Sequence, residues 1–108
     1  MRIATGLFIL AATTATATAA FAEARLSDAE YIKAARCRGL AGSENLGVMD
    51  TASLDAMLKA QGRGRVGFII DKADEARETA ERAARRAGPE GKPGLLAQRA
   101  TACAGLMG

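Results

Sequence analysis

Residues 65–87 read RVGFIIDKADEARETAERAARRA, and this stretch decides the fold. Val66, Ile69, Ala73, Ala76, Ala80, Ala83 and Ala87 recur at alternating spacings of three and four. A seven-residue period of this kind marks a packing seam along one side of a long α-helix. The spacing predicts a helix over 65–87, roughly 34 Å long. Alanine fills five of the seven seam positions, so a second helix can approach closely while each contact buries little area. Lys72, Arg77 and Arg86 flank the seam, and Asp71, Asp74, Glu75, Glu78 and Glu81 occupy the outer face. Glu78 with Arg82, and Glu81 with Arg85, stand at the i,i+4 spacing of favourable ion pairs. The seam can meet helices of its own chain or a helix of another protein. Two copies meeting through it would bring Lys72, Arg77 and Arg86 toward their counterparts, which is unfavourable. The charge pattern therefore favours internal packing, and an acidic helix is the external partner it would still accept.

The flanking sequence is also helical. Ser27-Asp28-Ala29-Glu30 is a capping box, with Ser27 placed to cap the third amide and Glu30 to reach back. The helix it opens should run to about Leu40 and end at Gly42-Ser43, with Tyr31, Ala34, Cys37 and Ala41 on one face. Ile32 lies off that stripe, so this helix is expected to be covered on more than one side. Asp50 or Thr51 can cap a second helix ending near Gln61, with Leu54, Met57, Leu58 and Gln61 as its stripe. Gly88-Pro89-Glu90-Gly91-Lys92-Pro93-Gly94 breaks the long helix. A last helix should run to about Leu106, with Arg99 inside an otherwise apolar arc. That guanidinium either snorkels to water or pairs with an acid on a facing helix. After residue 22 no alternating run or hairpin dipeptide signals a strand.

The chain opens as an export signal. Met1-Arg2 is a short positive start, Ile3 to Leu10 is largely apolar, and Ala20-Phe21-Ala22 is a small-x-small cleavage site. The expected division is a cleaved signal peptide over 1–22 and one helical domain over 23–108. If cleavage failed, Ile3 to Ala22 would be just long enough to hold the protein in a membrane; otherwise no membrane contact is expected. Without Arg2 the mature chain carries 14 basic and 12 acidic residues, or +2, with the signs interleaved. That distribution lacks the concentrated basic face of a nucleic-acid binder. Two cysteines remain, Cys37 and Cys103. In a small exported chain they are expected to form one disulfide; free thiols would be expected only without export.

Catalytic chemistry is poorly provided for. There is no histidine, hence neither the commonest general base nor the commonest metal ligand. Ser27 serves as a cap, and Ser43 and Ser53 have no evident base. No metal or cofactor is expected. Gly62-Arg63-Gly64-Arg65-Val66-Gly67 matches the G-x-G-x-x-G pattern, but a helix precedes it where a dinucleotide-binding fold needs a strand. A reduced form of that reading keeps Arg63 and Arg65 as an anion-binding pair at a helix N-terminus.

In organisation the chain resembles small periplasmic helical proteins stapled by one disulfide, acid-stress chaperones among them, through its export signal, size, helices and two cysteines. The resemblance implies sensitivity to carboxylate protonation, and no motif carries over residue by residue. The sequence thus predicts an all-α bundle of about four helices, stapled by Cys37–Cys103, exported to the periplasm or beyond. The expected function is non-enzymatic binding, chaperone-like, with another periplasmic protein as partner. Anion or envelope-surface binding through Arg63 and Arg65 is the second reading, and a small hydrolase the third. Mass spectrometry of exported protein should find a chain beginning at Glu23 or within a few residues of it. Intact Met1 in a membrane fraction would contradict the signal-peptide reading.

Overall fold

The computed structural model describes residues 24–107, so the leader expected over 1–22 lies outside the described residues. Within them the chain forms four α-helices and no strand: α1 (Asp28–Ala41), α2 (Ala52–Gly62), α3 (Gly67–Arg86) and α4 (Lys92–Ala102). The α1 capping box is formed. Ser27 Oγ accepts from the Glu30 amide at 3.1 Å, and Glu30 Oε1 accepts from the Ser27 amide at 3.2 Å. At α2 the cap falls to Asp50, whose Oδ1 accepts from the Ala52 amide at 3.0 Å, while Thr51 Oγ1 donates to Asp55 Oδ2. The last helix ends at Ala102, short of Leu106. Cys103 caps it, and Gly105 turns the chain with φ +75° so that Leu106 and Met107 fold back onto the interior.

α1 is the wall against which the other three helices pack, and its largest contact is with α3. Tyr31, Ala34, Ala35, Cys37, Gly39, Leu40 and Ala41 are all buried, more than one stripe of a helix can supply. The crossing of α1 over α3 is fixed by Gly39. A Cβ there would lie 2.4 Å from the Arg77 carbonyl oxygen and 2.8 Å from Ala80 Cβ. Only a hydrogen at that position lets the two backbones come so close.

The face of α3 that meets α1 differs in phase from the heptad seam. Ala73 and Ala80 are buried and Ile69, Ala76 and Ala87 half-buried, but Val66 and Ala83 are exposed and Ala84 is fully buried. A seven-residue repeat drifts about 20° per heptad on a straight helix. The steps 69, 73, 76, 80, 84 and 87 restore a 3.6-residue period. The covered positions of α3 thus follow the 3.6-residue period of an ordinary α-helix instead of a strict heptad.

The interior is three small clusters threaded by α1. Tyr31, Ala35 and Ala73, with Ile69 and Ile70 alongside, close one end. Leu40, Leu46, Ala80 and Ala84 fill the middle, with Leu95 packed on them. Cys37, Ala41, Leu54, Ala102 and Cys103 join α1, α2 and α4. The Cys37–Cys103 disulfide lies in this third cluster and closes 66 residues of chain. A loop of that size carries about 4 kcal/mol in the chain-entropy model, comparable with the net stability of a small domain.

Polar side chains tie the connectors down. Asn45 Nδ2 donates at 2.8 Å to the carbonyls of both Ala84 and Ala87 and so closes the C-terminus of α3. Among the described residues Arg99 meets no acid, and its head group bonds to backbone at the surface. Its NH1 donates to the Gly47 and Leu46 carbonyls at 2.8 and 3.3 Å, fastening α4 to the α1–α2 connector.

Gly39→Ala should destabilise the protein by about 1–3 kcal/mol, because overpacking at the crossing outweighs alanine's better helix propensity. Gly94 in α4 faces open space, so Gly94→Ala should leave stability unchanged or raise it by up to about 1 kcal/mol. Denaturant midpoints of the two variants check the contrast.

Candidate functional site

The corner between α2 and α3 contains the G-x-G-x-x-G stretch, and its two arginines do different things. The Arg65 side chain is only 3% exposed. Its Nε donates to the Gln61 carbonyl at 2.7 Å, NH1 to Asp28 Oδ1 at 2.6 Å, and NH2 to the Leu26 carbonyl at 2.7 Å and Gln61 Oε1 at 3.3 Å. The guanidinium also lies 4.5 Å from the centroid of the Tyr31 ring. Gln61 completes the clamp by receiving the Leu26 amide and donating to the Ala24 carbonyl. Arg65 therefore binds the lead-in of α1 to the corner, with each of its three nitrogens hydrogen-bonded within the protein. Arg63 is exposed while the Arg65 side chain is buried against the protein, so the two arginines lie in different environments.

The same corner presents apolar surface. Val66, the N-cap residue of α3, is 66% exposed, and Phe68 is 68% exposed. The Lys72 ammonium stands 5.6 Å from the Phe68 ring centroid. A Cβ at Gly67 between them would meet nothing within 4 Å. Val48 and Leu96 are further large apolar side chains left at the surface. Among the described residues no helix is long and apolar enough to cross a membrane, and no group of His, Cys, Asp or Glu could hold a metal ion.

A second feature lies toward the other end of α3. A cleft of about 820 Å³ is lined by the C-terminal end of α1, the following turn and α3, with Arg38, Arg77, Arg85, Glu44 and Glu81 as its charged residues. Gly39 and Gly42 form part of its lining, the first glycine required by the helix crossing. The Arg38 guanidinium lies across Gly42, where a Cβ would fall 2.3 Å from NH1. Two carboxylates hold these arginines by one edge: Asp55 Oδ1 accepts from Arg38 Nε, and Glu81 Oε1 accepts from Arg77 Nε at 3.0 Å. Glu81 thus pairs toward the N-terminus with Arg77 instead of with Arg85, while Glu78 and Arg82 stand 4.0 Å apart at the expected spacing.

Partial burial works to raise the Asp55 pKa, but hydrogen bonds from Arg38 and Thr51 and the charges of Arg38 and Arg77 outweigh it and hold the carboxyl below its usual range. Glu30 is lowered by its hydrogen bonds with Ser27. No family model, curated protein or solved structure matches this chain in comparisons with known proteins.

Both shifts are downward. Their stabilising contribution is therefore complete above the unfolded-state values, near 4.5 for Glu and 3.8 for Asp, and is lost as pH falls through the folded-state values. Stability should decline on acidification from pH 6 to pH 3. Asp55→Asn should flatten part of that decline, read as the pH dependence of the denaturant midpoint.

Proposed function

We propose that this chain is an exported, non-enzymatic binding module that uses apolar surface in a chaperone-like manner, with another periplasmic protein as its partner. The exposure of Val66 and Phe68 at the α2–α3 corner carries this reading. An alanine-built interior with one glycine crossing has little room for large side chains, and a soluble monomer gains nothing from placing Phe68 in water. Phenylalanine is also the type of residue that anchors interfaces. Export is supported by the Ala20-Phe21-Ala22 cleavage pattern, and the Cys37–Cys103 disulfide suits an oxidising compartment. The corner itself is rigid, because the Arg65–Gln61 clamp fixes it against the start of α1.

Replacing Val66 by Ser separates binding from folding. The α3 N-cap has no side-chain acceptor, so Val66→Ser supplies one and should stabilise the domain by about 0.5–2 kcal/mol. Together with Phe68→Ser it removes the apolar corner. Mature, oxidised protein should suppress light scattering by heat-unfolded citrate synthase at a temperature where the domain itself stays folded. The double variant should lose most of that suppression while melting no lower than wild type. Equal suppression by both proteins, or none by wild type, would contradict the proposal.

A further inference from the structure

The apolar corner leaves the arginine cleft unexplained. Helical geometry puts Arg85 about 25 Å along α3 from Phe68, so the two features are separate surfaces. Polar groups around the cleft are largely satisfied internally. The carbonyls of Arg38, Leu40 and Ala41 at the end of α1 accept from the amides of Gly42, Ser43 and Met49. Asn45 closes the end of α3. Asp55 and Glu81 occupy the Nε edges of Arg38 and Arg77. Among the described residues, the terminal amino groups of Arg38 and Arg77 have no hydrogen-bond acceptor, and Arg85 makes no ion pair. Three guanidinium groups therefore line one cleft with donors still open, two of them held by carboxylates that fix their orientation. The lining sets three arginines against Glu44 and Glu81, and Asp55 at the Nε edge of Arg38 brings the charges to balance, so the case for an anion rests on the open guanidinium donors and not on net charge.

We propose that the cleft formed by Arg38, Arg77 and Arg85 over Gly39 and Gly42 binds a small oxyanion bearing carboxylate or phosphate groups. Planar guanidinium forks match the paired oxygens of both groups. Glycine at 42 lets the Arg38 fork lie against the backbone with its terminal nitrogens in the cleft. A lysine at these positions would offer charge without the fork. The second charge-bearing helix, α3, supplies Arg77 and Arg85 eight residues apart on one face, so a ligand that spans both rewards the whole arrangement.

The test is a titration of mature, oxidised protein with inorganic phosphate and, separately, with citrate, followed by amide NMR shifts against sodium chloride at matched ionic strength. Amides of Gly39, Gly42, Ser43 and Asn45 should shift saturably with one or both oxyanions and not with chloride. Saturation by citrate alone assigns a polycarboxylate ligand, and by phosphate alone a phosphate-bearing one. Arg85 is exposed, so Arg85→Ala should fold normally and weaken binding about tenfold or more, as expected for one lost charge-assisted hydrogen bond. Gly42→Ala should displace Arg38 and weaken binding in the same direction. Val66→Ser/Phe68→Ser should bind oxyanion as wild type does, whatever happens to its client binding. The proposal is overturned if chloride reproduces the shifts, if no saturable shift occurs, or if Arg85→Ala binds as tightly as wild type.

Discussion

Gly39 passes α3 at a distance that admits no side chain, and most of the architecture follows from that approach. With the α1 and α3 backbones this close, the residues between them must be small, and Ala35, Ala73, Ala80 and Ala84 fill the crossing. Small side chains give close contact but little apolar area, at about 25 cal/mol per Å² buried. The interior is consequently three modest clusters instead of one large core. A few larger apolar residues are buried within these clusters, as Leu40 and Leu54 are, while others remain outside, as Phe68 and Val66 do.

A core of that kind needs a second constraint, and the Cys37–Cys103 disulfide provides it. Cys37 lies in the C-terminal half of α1 and Cys103 at the cap of α4. Ala102 is the only residue of the α4 span Lys92–Ala102 that is buried. Its other ties are the Arg99 bonds to the 46–47 backbone, the Arg36–Gln98 hydrogen bond, and Leu95 against the middle cluster. The α1–α3 pair is held by packing, whereas α4 depends mainly on the crosslink.

The helices, the α1 capping box and the single disulfide could be read from sequence because each rests on local spacing or on a count of two cysteines. The seam was legible in kind but not in phase. Alanines at both 83 and 84 satisfy either period, and only packing against Leu40 and Leu46 selects Ala84. Arg65 was misleading for a related reason. Its position beside glycines suggests a free cation, while its partners Leu26 and Asp28 are nearly forty residues away. Asn45 and Arg99 bond to carbonyls, which leave no mark in the sequence. The arginine cleft joins Arg38 to residues on a helix that begins nearly thirty positions later. Its one visible trace is the run Arg77, Glu81, Arg85 at spacings of four, which also fits an ordinary solvated helix face.

α1 and α3 form the most closely packed pair, and the disulfide fastens α4 to it. Amide hydrogen exchange on oxidised wild type and on Cys37→Ala/Cys103→Ala tests it most directly. Amides over 95–102 should lose the most protection in the variant, while those over 34–40 and 73–84 should remain the most protected, at the lower level set by global unfolding. Uniform loss of protection across all four helices, or α4 amides as protected as those of α1, would contradict it.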